Sequence, residues 1–464
     1  MTKKIAIIGG GIAGLSAGFY VQKAADEKQL DAAPVIFEAT DRLGGKFNTL
    51  RHDGFVIERG PDSFLKRKPA ALELARDLGL EPQLVANKTG KSYILHKGQL
   101  HLIPPGSVMG VPGDFTSFLA SDLLSDEGKA RVFEELLLPP MEAFEDISVG
   151  EFFEKRLGRE LVSRIIEPLL SGVYGGNLNR LSLEATLPQF KAIATQHGHL
   201  LQAVHGKASG KRTSQFATLS GGLSTFTEKI VASLHGKLMR NTAIDSIEQV
   251  GKTIRLHAAG YTIDADALVF AAPLREAQDL LPELQTLRLA PRDADSGMTT
   301  LSLAYDQTAV QINQQGTGFV SSDRGAGHIA AATWTHLKWP HTAPQGKALL
   351  RVFYGHYPDW NPQTISDEAL AQKAIHDLNA IDGLSVSSKP DFFVVTHMPD
   401  SMPQYGVGQK AWLKQLEAER SRKYPNIYFA GMAYDGVGIP DVIRQGKQAA
   451  QSALSFCFNQ ELID

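Results

Sequence analysis

Cysteine is nearly absent. Cys457 stands alone in a predicted C-terminal helix, which excludes disulfides within the chain and cysteine-based metal clusters and suits a reducing compartment. Uninterrupted apolar runs are also scarce, and no window approaches the roughly 20 residues needed to cross a bilayer. The stretch MTKKIAIIGGGIAGLSAGF imitates a secretory leader, but Gly9, Gly10, Gly11 and Gly14 break its apolar centre and fit another motif better. An excess of charge is missing too. Lys and Arg number 47 against 50 Asp and Glu, a net charge of -3, which leaves no basic field for nucleic acid. Any cationic site must therefore be local. Repeats, low-complexity tracts and long linkers are absent, so the structural units are expected to interleave.

What is present is a chain of 464 residues, 43% hydrophobic, enough for two or three units. Residues 4 to 8, KIAII, read as a short buried strand. A small-residue helix, AGLSAGFYVQKAA, and a second strand, PVIFEA, follow and complete a β-α-β unit. Residues 54 to 63 read as a strand entering a turn, and 71 to 79 as a helix. From about 115 to 205 helix-period segments dominate, among them LVSRIIEPLLSGVYG, and VFEELLLPPMEAF reads as a buried amphipathic helix. Beyond 240, AIDSIEQV, TIRLHA and YTIDADALVFAAP alternate as antiparallel strands with one wet face. A second block of strands runs from about 299 to 399. NIYFAG and IPDVIRQGKQAAQSALSF close the chain as a buried strand and a helix.

Gly9, Gly11 and Gly14 carry G-x-G-x-x-G spacing between a predicted strand and helix, where a dinucleotide diphosphate approaches backbone and helix N-terminus. The second strand ends in Glu38, 24 positions after Gly14, suited to accept hydrogen bonds from a ribose hydroxyl pair and to repel a 2′-phosphate. EATDRLGGK then adds Arg42, Gly44 and Gly45, a second point of contact with the same dinucleotide.

An acid, an arginine and a Gly-Gly pair in this arrangement resemble the FAD-binding fingerprint of the amine oxidase and protoporphyrinogen oxidase superfamily. IYFAGMAYDGVGIPDVIRQGKQAA is similar to its last FAD segment, in which backbone N–H groups of Val437, Gly438 and Ile439 face the flavin. The resemblance implies non-covalent FAD. It also implies contacts from Gly9, Gly10, Gly11, Ile12, Ala13, Gly14, Glu38, Ala39, Arg42, Gly44 and Gly45, from Gly60, Pro61, Asp62 and Ser63, and from Ile244 beside adenine. Two positions depart from the pattern: Met432 stands where many relatives carry an acid, and Gln409 where relatives often carry histidine. The implied fold class is α/β (α+β). A Rossmann-like FAD domain (1–55, 218–290, 405–464) is interleaved with a sheet-containing substrate domain (56–88, 183–217, 291–404), and 89–182 forms a mostly helical insertion.

GPDSF, SGVYGGNLNRLSL, TWTHLKWPHTAP, MPQYGVG and DGVGIPD resemble the porphyrinogen oxidase branch, in its Gram-positive coproporphyrinogen III oxidase form. That resemblance implies a porphyrinogen substrate, O2 as oxidant, no metal, and no catalytic side chain, because the flavin N5 carries the redox chemistry. The macrocycle bears propionates, so a wide apolar cavity with cationic rim groups is expected. Val173 and Tyr174 are the candidate wall, and Lys68, then Arg67, are the candidate propionate partners. Lys66 and Lys68 are expected on one side of an extended segment with Arg67 on the other. Cytoplasmic location is expected, with peripheral contact at the inner membrane face and heme-pathway enzymes as candidate partners; oligomeric state is left open. Two rivals stand beside this reading: another flavin amine oxidase or desaturase, and a GDP-dissociation-inhibitor-like binding protein that needs no complete FAD site.

Overall fold

The computed structural model describes residues 2–459 apart from 89, 197, 206–214, 292–295, 324–328 and 357–359. Part of the substrate-domain segment 183–217 thus lies outside the described residues.

The glycine-rich N-terminus builds a parallel sheet. Lys3–Ile8, Ala32–Phe37, Lys237–Met239, Ala267–Phe270 and Ile427–Phe429 lie side by side, with Lys3–Ile8 at the centre. Ile5, Ala6 and Ile7 are fully buried, as a continuous apolar run must be when both faces of a parallel sheet are covered. Helices Ile12–Lys28 and Ile439–Phe458 pack against each other on one face, where a Cβ on Gly446 would lie 2.4 Å from the Ala13 carbonyl oxygen. YTIDADALVFAAP is not one antiparallel strand. It breaks after Ala265: Tyr261–Ala265 pairs with Thr253–Ala258, whereas the fully buried Ala267–Phe270 enters the parallel sheet. Its apolar run ALVF fits a strand with no wet face.

The second sheet has seven strands, in the order Phe392–Met402, Ser296–Asp306, Lys347–Gly355, Ala331–Trp334, Gly318–Ser321, Tyr93–His96, Gln99–Leu102. The last two form a hairpin inside 89–182, the stretch expected to be mostly helical, and join the sheet through a parallel pairing of Tyr93–His96 with Gly318–Ser321. Leu301, Leu303, Tyr305, Leu350, Val352 and Tyr354 pack against the helix Asp367–Asn379. The alternate residues face the hairpin formed by Thr49–His52 and Phe55–Glu58, with Ala304 and Leu349 packed on Phe55 and Ile57.

The helical insertion builds a core that includes Phe118, Phe152, Phe153, Ile166 and Leu170, joined by Phe190, Leu200 and Tyr405 from outside 89–182. VFEELLLPPMEAF is not a single helix there: the helix Asp126–Phe133 passes into a 3-10 turn, Glu134–Leu137, and stops before Pro139, which cannot continue it. LVSRIIEPLLSGVYG is helical to Tyr174 but contains a π turn at Val162–Ile166, a feature found often beside functional sites. No helix among the described residues is long and apolar enough to cross a membrane.

Candidate functional site

The glycine loop lies at the carboxyl end of the parallel strands, where ligands of such sheets collect. A Cβ on Gly14 would lie 1.9 Å from the Gly9 carbonyl oxygen, so helix and strand can meet only with glycine there. At Gly11, by contrast, a Cβ would meet nothing nearer than Gly45 Cα at 3.9 Å. No side chain caps the helix at Gly11, so its first N–H groups are available to an anion. The Gly44 N–H donates to the Gly10 carbonyl at 2.7 Å, joining the two glycine loops backbone to backbone. A Cβ on Gly60 would lie 1.9 Å from the Lys46 carbonyl oxygen, which brings the Gly60–Ser63 turn against the same loops.

The Glu38 carboxylate accepts from the Gly10 N–H (2.8 Å), the Thr40 N–H (2.9 Å) and the Thr40 hydroxyl (2.7 Å). Three of its roughly four lone-pair positions are filled, leaving about one for a ribose hydroxyl rather than a pair. Ala39 beside it is exposed. The Asn241 and Thr242 N–H groups donate to the Thr40 and Glu38 carbonyls, which sets Ile244 close to this strand end. The Arg42 guanidinium donates to the carbonyls of Leu43, Gly45 and Phe47. These bonds brace the loop.

The C-terminal segment supplies a second uncapped helix N-terminus, at Gly438, with Pro440 in the first turn. Before it, Gly431–Gly436 is a backbone loop held by side chains that come from elsewhere. The Tyr405 hydroxyl donates to the Met432 carbonyl (2.5 Å) and accepts from the Gly436 N–H (2.9 Å). Gln409 Nε2 donates to the Tyr434 carbonyl (3.1 Å), and Gln445 bridges the Gly431 N–H and the Asp435 carbonyl. At Met432 no carboxylate is available; its sulfur lies 3.3 Å from Lys46 Nζ.

The three bases do not run in an extended segment. Phe64–Leu65 is followed at once by a turn closed by the Lys68 N–H on the Leu65 carbonyl (3.4 Å), so alternation does not govern them. Lys68 Nζ is 2.5 Å from Asp441 Oδ2, in the first turn of the closing helix. Lys66 and Arg67 are exposed and, among the described residues, form no ion pair. Burial and then the Asp441 carboxylate push the Tyr174 hydroxyl up to about 12, against the pull of Arg67. Tyr174 donates to the Thr186 carbonyl (3.1 Å), while Val173 is 45% exposed, free to touch a ligand. Trp334, Trp339 and Tyr405 are buried.

Beneath the Gly60–Ser63 turn lies a polar network between the two sheets. Asp62 accepts from Lys338 Nζ (2.8 Å), Trp339 Nε1 (3.3 Å) and the Ser63 hydroxyl (2.6 Å). Burial works to raise its carboxyl, but Lys338, Ser63 and Arg351 together hold it far below the usual range. Arg351 donates to the Gly60 carbonyl (2.8 Å), and its Nε has no partner among the described residues. Glu58 accepts from the Leu223 N–H (2.6 Å) and the Thr49 hydroxyl (3.0 Å); burial outweighs these and lifts it to about 7. A cavity of about 20 Å³ lined by Glu58, Asp62, Ser302, His341 and Arg351 is large enough for one water. Thr40, Lys46, Glu58, Lys338, Arg351 and Gln445 were not among the residues the sequence singled out. Lys46 and Thr40 flank motif residues and could have been suspected; the others have no local signal.

Comparison with known proteins agrees with this geometry. Residues 12–454 match the model of flavin containing amine oxidoreductases. A coproporphyrinogen III oxidase of Bacillus subtilis is 40% identical over 98% of this chain and 99% of its own length, and one of Staphylococcus aureus is 35% identical over 98% and 100%. A crystal structure from Exiguobacterium sp. 255-15, named as a candidate protoporphyrinogen oxidase, superposes with a TM-score of 0.85 at 36% identity, covering 97% of this chain and 98% of that one.

Proposed function

The chain belongs to the family of flavin-containing amine oxidoreductases, and from that premise we propose that it is an FAD-dependent oxidase converting coproporphyrinogen III to coproporphyrin III in heme biosynthesis. The observation that carries this reading is the end-to-end likeness to relatives of that name. Six hydrogens leave the macrocycle, and three O2 become three H2O2. Bound FAD would supply the two-electron acceptance from the macrocycle and the return of those electrons to O2.

The residues suit that cofactor: two uncapped helix N-termini, two interlocked glycine loops and a carboxylate with room for one more donor. In this reading Gly9 to Gly14, with Gly44 and Gly45, receive the diphosphate, and Glu38 takes a ribose hydroxyl. Ile244 flanks adenine, and Gly60 to Ser63 line the flavin. Val437, Gly438 and Ile439 offer N–H groups to its electron-rich edge. No side chain is assigned as general base.

For the substrate, Arg67 moves ahead of Lys68. It is exposed and its charge reaches the Tyr174 hydroxyl, whereas the Lys68 ammonium is engaged by Asp441. Lys68 then ties the basic turn to the cofactor segment, and Val173 with Tyr174 supplies wall. We place the enzyme in the cytoplasm. Purified protein incubated aerobically with coproporphyrinogen III, and separately with protoporphyrinogen IX, should yield fluorescent porphyrin and peroxide. No porphyrin above the autoxidation control from either would sink the assignment.

A further inference from the structure

The loop Gly431–Gly436 and the candidate substrate wall are far apart in sequence, yet one segment, Gln404–Gln409, bonds to both. Toward the loop it offers the two Tyr405 hydroxyl bonds and the amide of Gln409, both residues almost fully buried. Toward the wall, Gln404 Nε2 donates to the carbonyl of Tyr174 itself (2.8 Å), and the Ser182 N–H donates to the Tyr405 carbonyl (2.7 Å). Asp146 of the insertion closes the far side, accepting from the Gly408 N–H (2.9 Å), the Ser182 hydroxyl (2.6 Å) and the Glu184 N–H (3.0 Å). A short bridge pairs Leu181 with Gly406. These bonds from Tyr405 and Gln409 to the Gly431–Gly436 loop end on backbone, so they fix where that backbone sits rather than what side chains it carries.

We propose that Gln404–Gln409 is a strut coupling the position of the substrate wall to that of the flavin loop, with the Tyr405 hydroxyl as its positioning group. The inference rests on FAD occupying the site as described above. Removing a buried hydroxyl that serves two backbone groups at once leaves both without that partner, and a loop that has lost two of its ties would then shift against the bound ring. Gln409, the departure from the family pattern, belongs to the same device: its amide reaches two carbonyls, Tyr434 at 3.1 Å and Ala433 at 3.4 Å, where a histidine could donate to one.

The test reads the flavin and not turnover. Tyr405→Phe in the FAD-loaded protein should change the visible circular dichroism of the flavin and weaken FAD binding about tenfold. Asp146→Ala touches no flavin-loop residue, and should move the same spectrum in the same direction with a loss of about threefold. If either variant holds FAD with a spectrum superimposable on that of the parent protein, the strut is overturned, even where thermal stability has fallen. Should Tyr405→Phe lose FAD altogether, Gln409→His is read in its place and must shift the spectrum. A parent protein that takes up no FAD would refute the proposed function instead.

Discussion

Among the described residues, Glu135 with Arg156 and Glu58 with Arg351 are oppositely charged and buried, and the two sites are built differently. In the helical insertion, Glu135 accepts from Arg156 Nη2 (2.5 Å) and Nε (3.2 Å) and from the N–H groups of Leu200 (2.8 Å) and Leu201 (3.3 Å). Arg156 also donates to the Pro139 and Gly198 carbonyls. Between the sheets, Glu58 and Arg351 feel each other's charge, but each bonds to other groups, one Arg351 nitrogen is left over, and a cavity lies beside it. The first pair is fully bonded and ties a helix start to its neighbours. The second joins the seven-stranded sheet to the Thr49–Glu58 hairpin and carries the Gly60 turn proposed to line the flavin. Saturated geometry serves stability; the incompletely bonded cluster keeps a carboxyl titratable next to the site.

Removing one partner of the closed pair should break the contrast most visibly. Arg156→Met strands the Glu135 carboxylate in a dry core and should cost about 3–5 kcal/mol, seen as a lower urea midpoint. The double change Glu135→Leu with Arg156→Met should recover most of that loss in the same measurement. An Arg156→Met protein as stable as its parent would mean the pair is not the knot described.

The open cluster should announce itself through pH. Glu58 titrates near its ordinary value when unfolded and at about 7 when folded. Its contribution is complete below pH about 4.5 and fades as pH rises toward about 7, by up to about 3 kcal/mol. Glu58→Gln should flatten stability over that window, and an unchanged pH profile would contradict the assignment. Arg351→Lys cannot keep both its reach to Gly60 and its fork. It should weaken FAD binding by about 2 kcal/mol, roughly thirtyfold, in a fluorescence titration.

The exposed bases are the mild end of the scale. Arg67→Glu should raise the KM for a tetracarboxylate porphyrinogen several-fold, about 1 kcal/mol, with FAD still bound. Lys68→Glu meets Asp441 instead and should loosen FAD as well. Equal effects of both on KM, with none on FAD, would restore Lys68 as the substrate partner.

The sequence alone determined the β-α-β unit, the glycine loop, Glu38, the closing helix with Pro440, the helical character of the insertion and the membership that those strings imply. These are local: a few consecutive residues set the turn, the cap and the periodicity. Boundaries failed where locality failed. ALVF looked like the end of an antiparallel strand because alternation upstream ran into it, and the Tyr93–Leu102 hairpin was hidden beside helices. The bonding partners of Lys68, Tyr405, Glu58 and Arg351 are decided only by tertiary structure. Whether a charged or polar side chain is a free ligand, a brace or half of a buried pair depends on which groups lie within about 3 Å of it, and for Lys68 and Arg351 those groups lie hundreds of residues away in the chain.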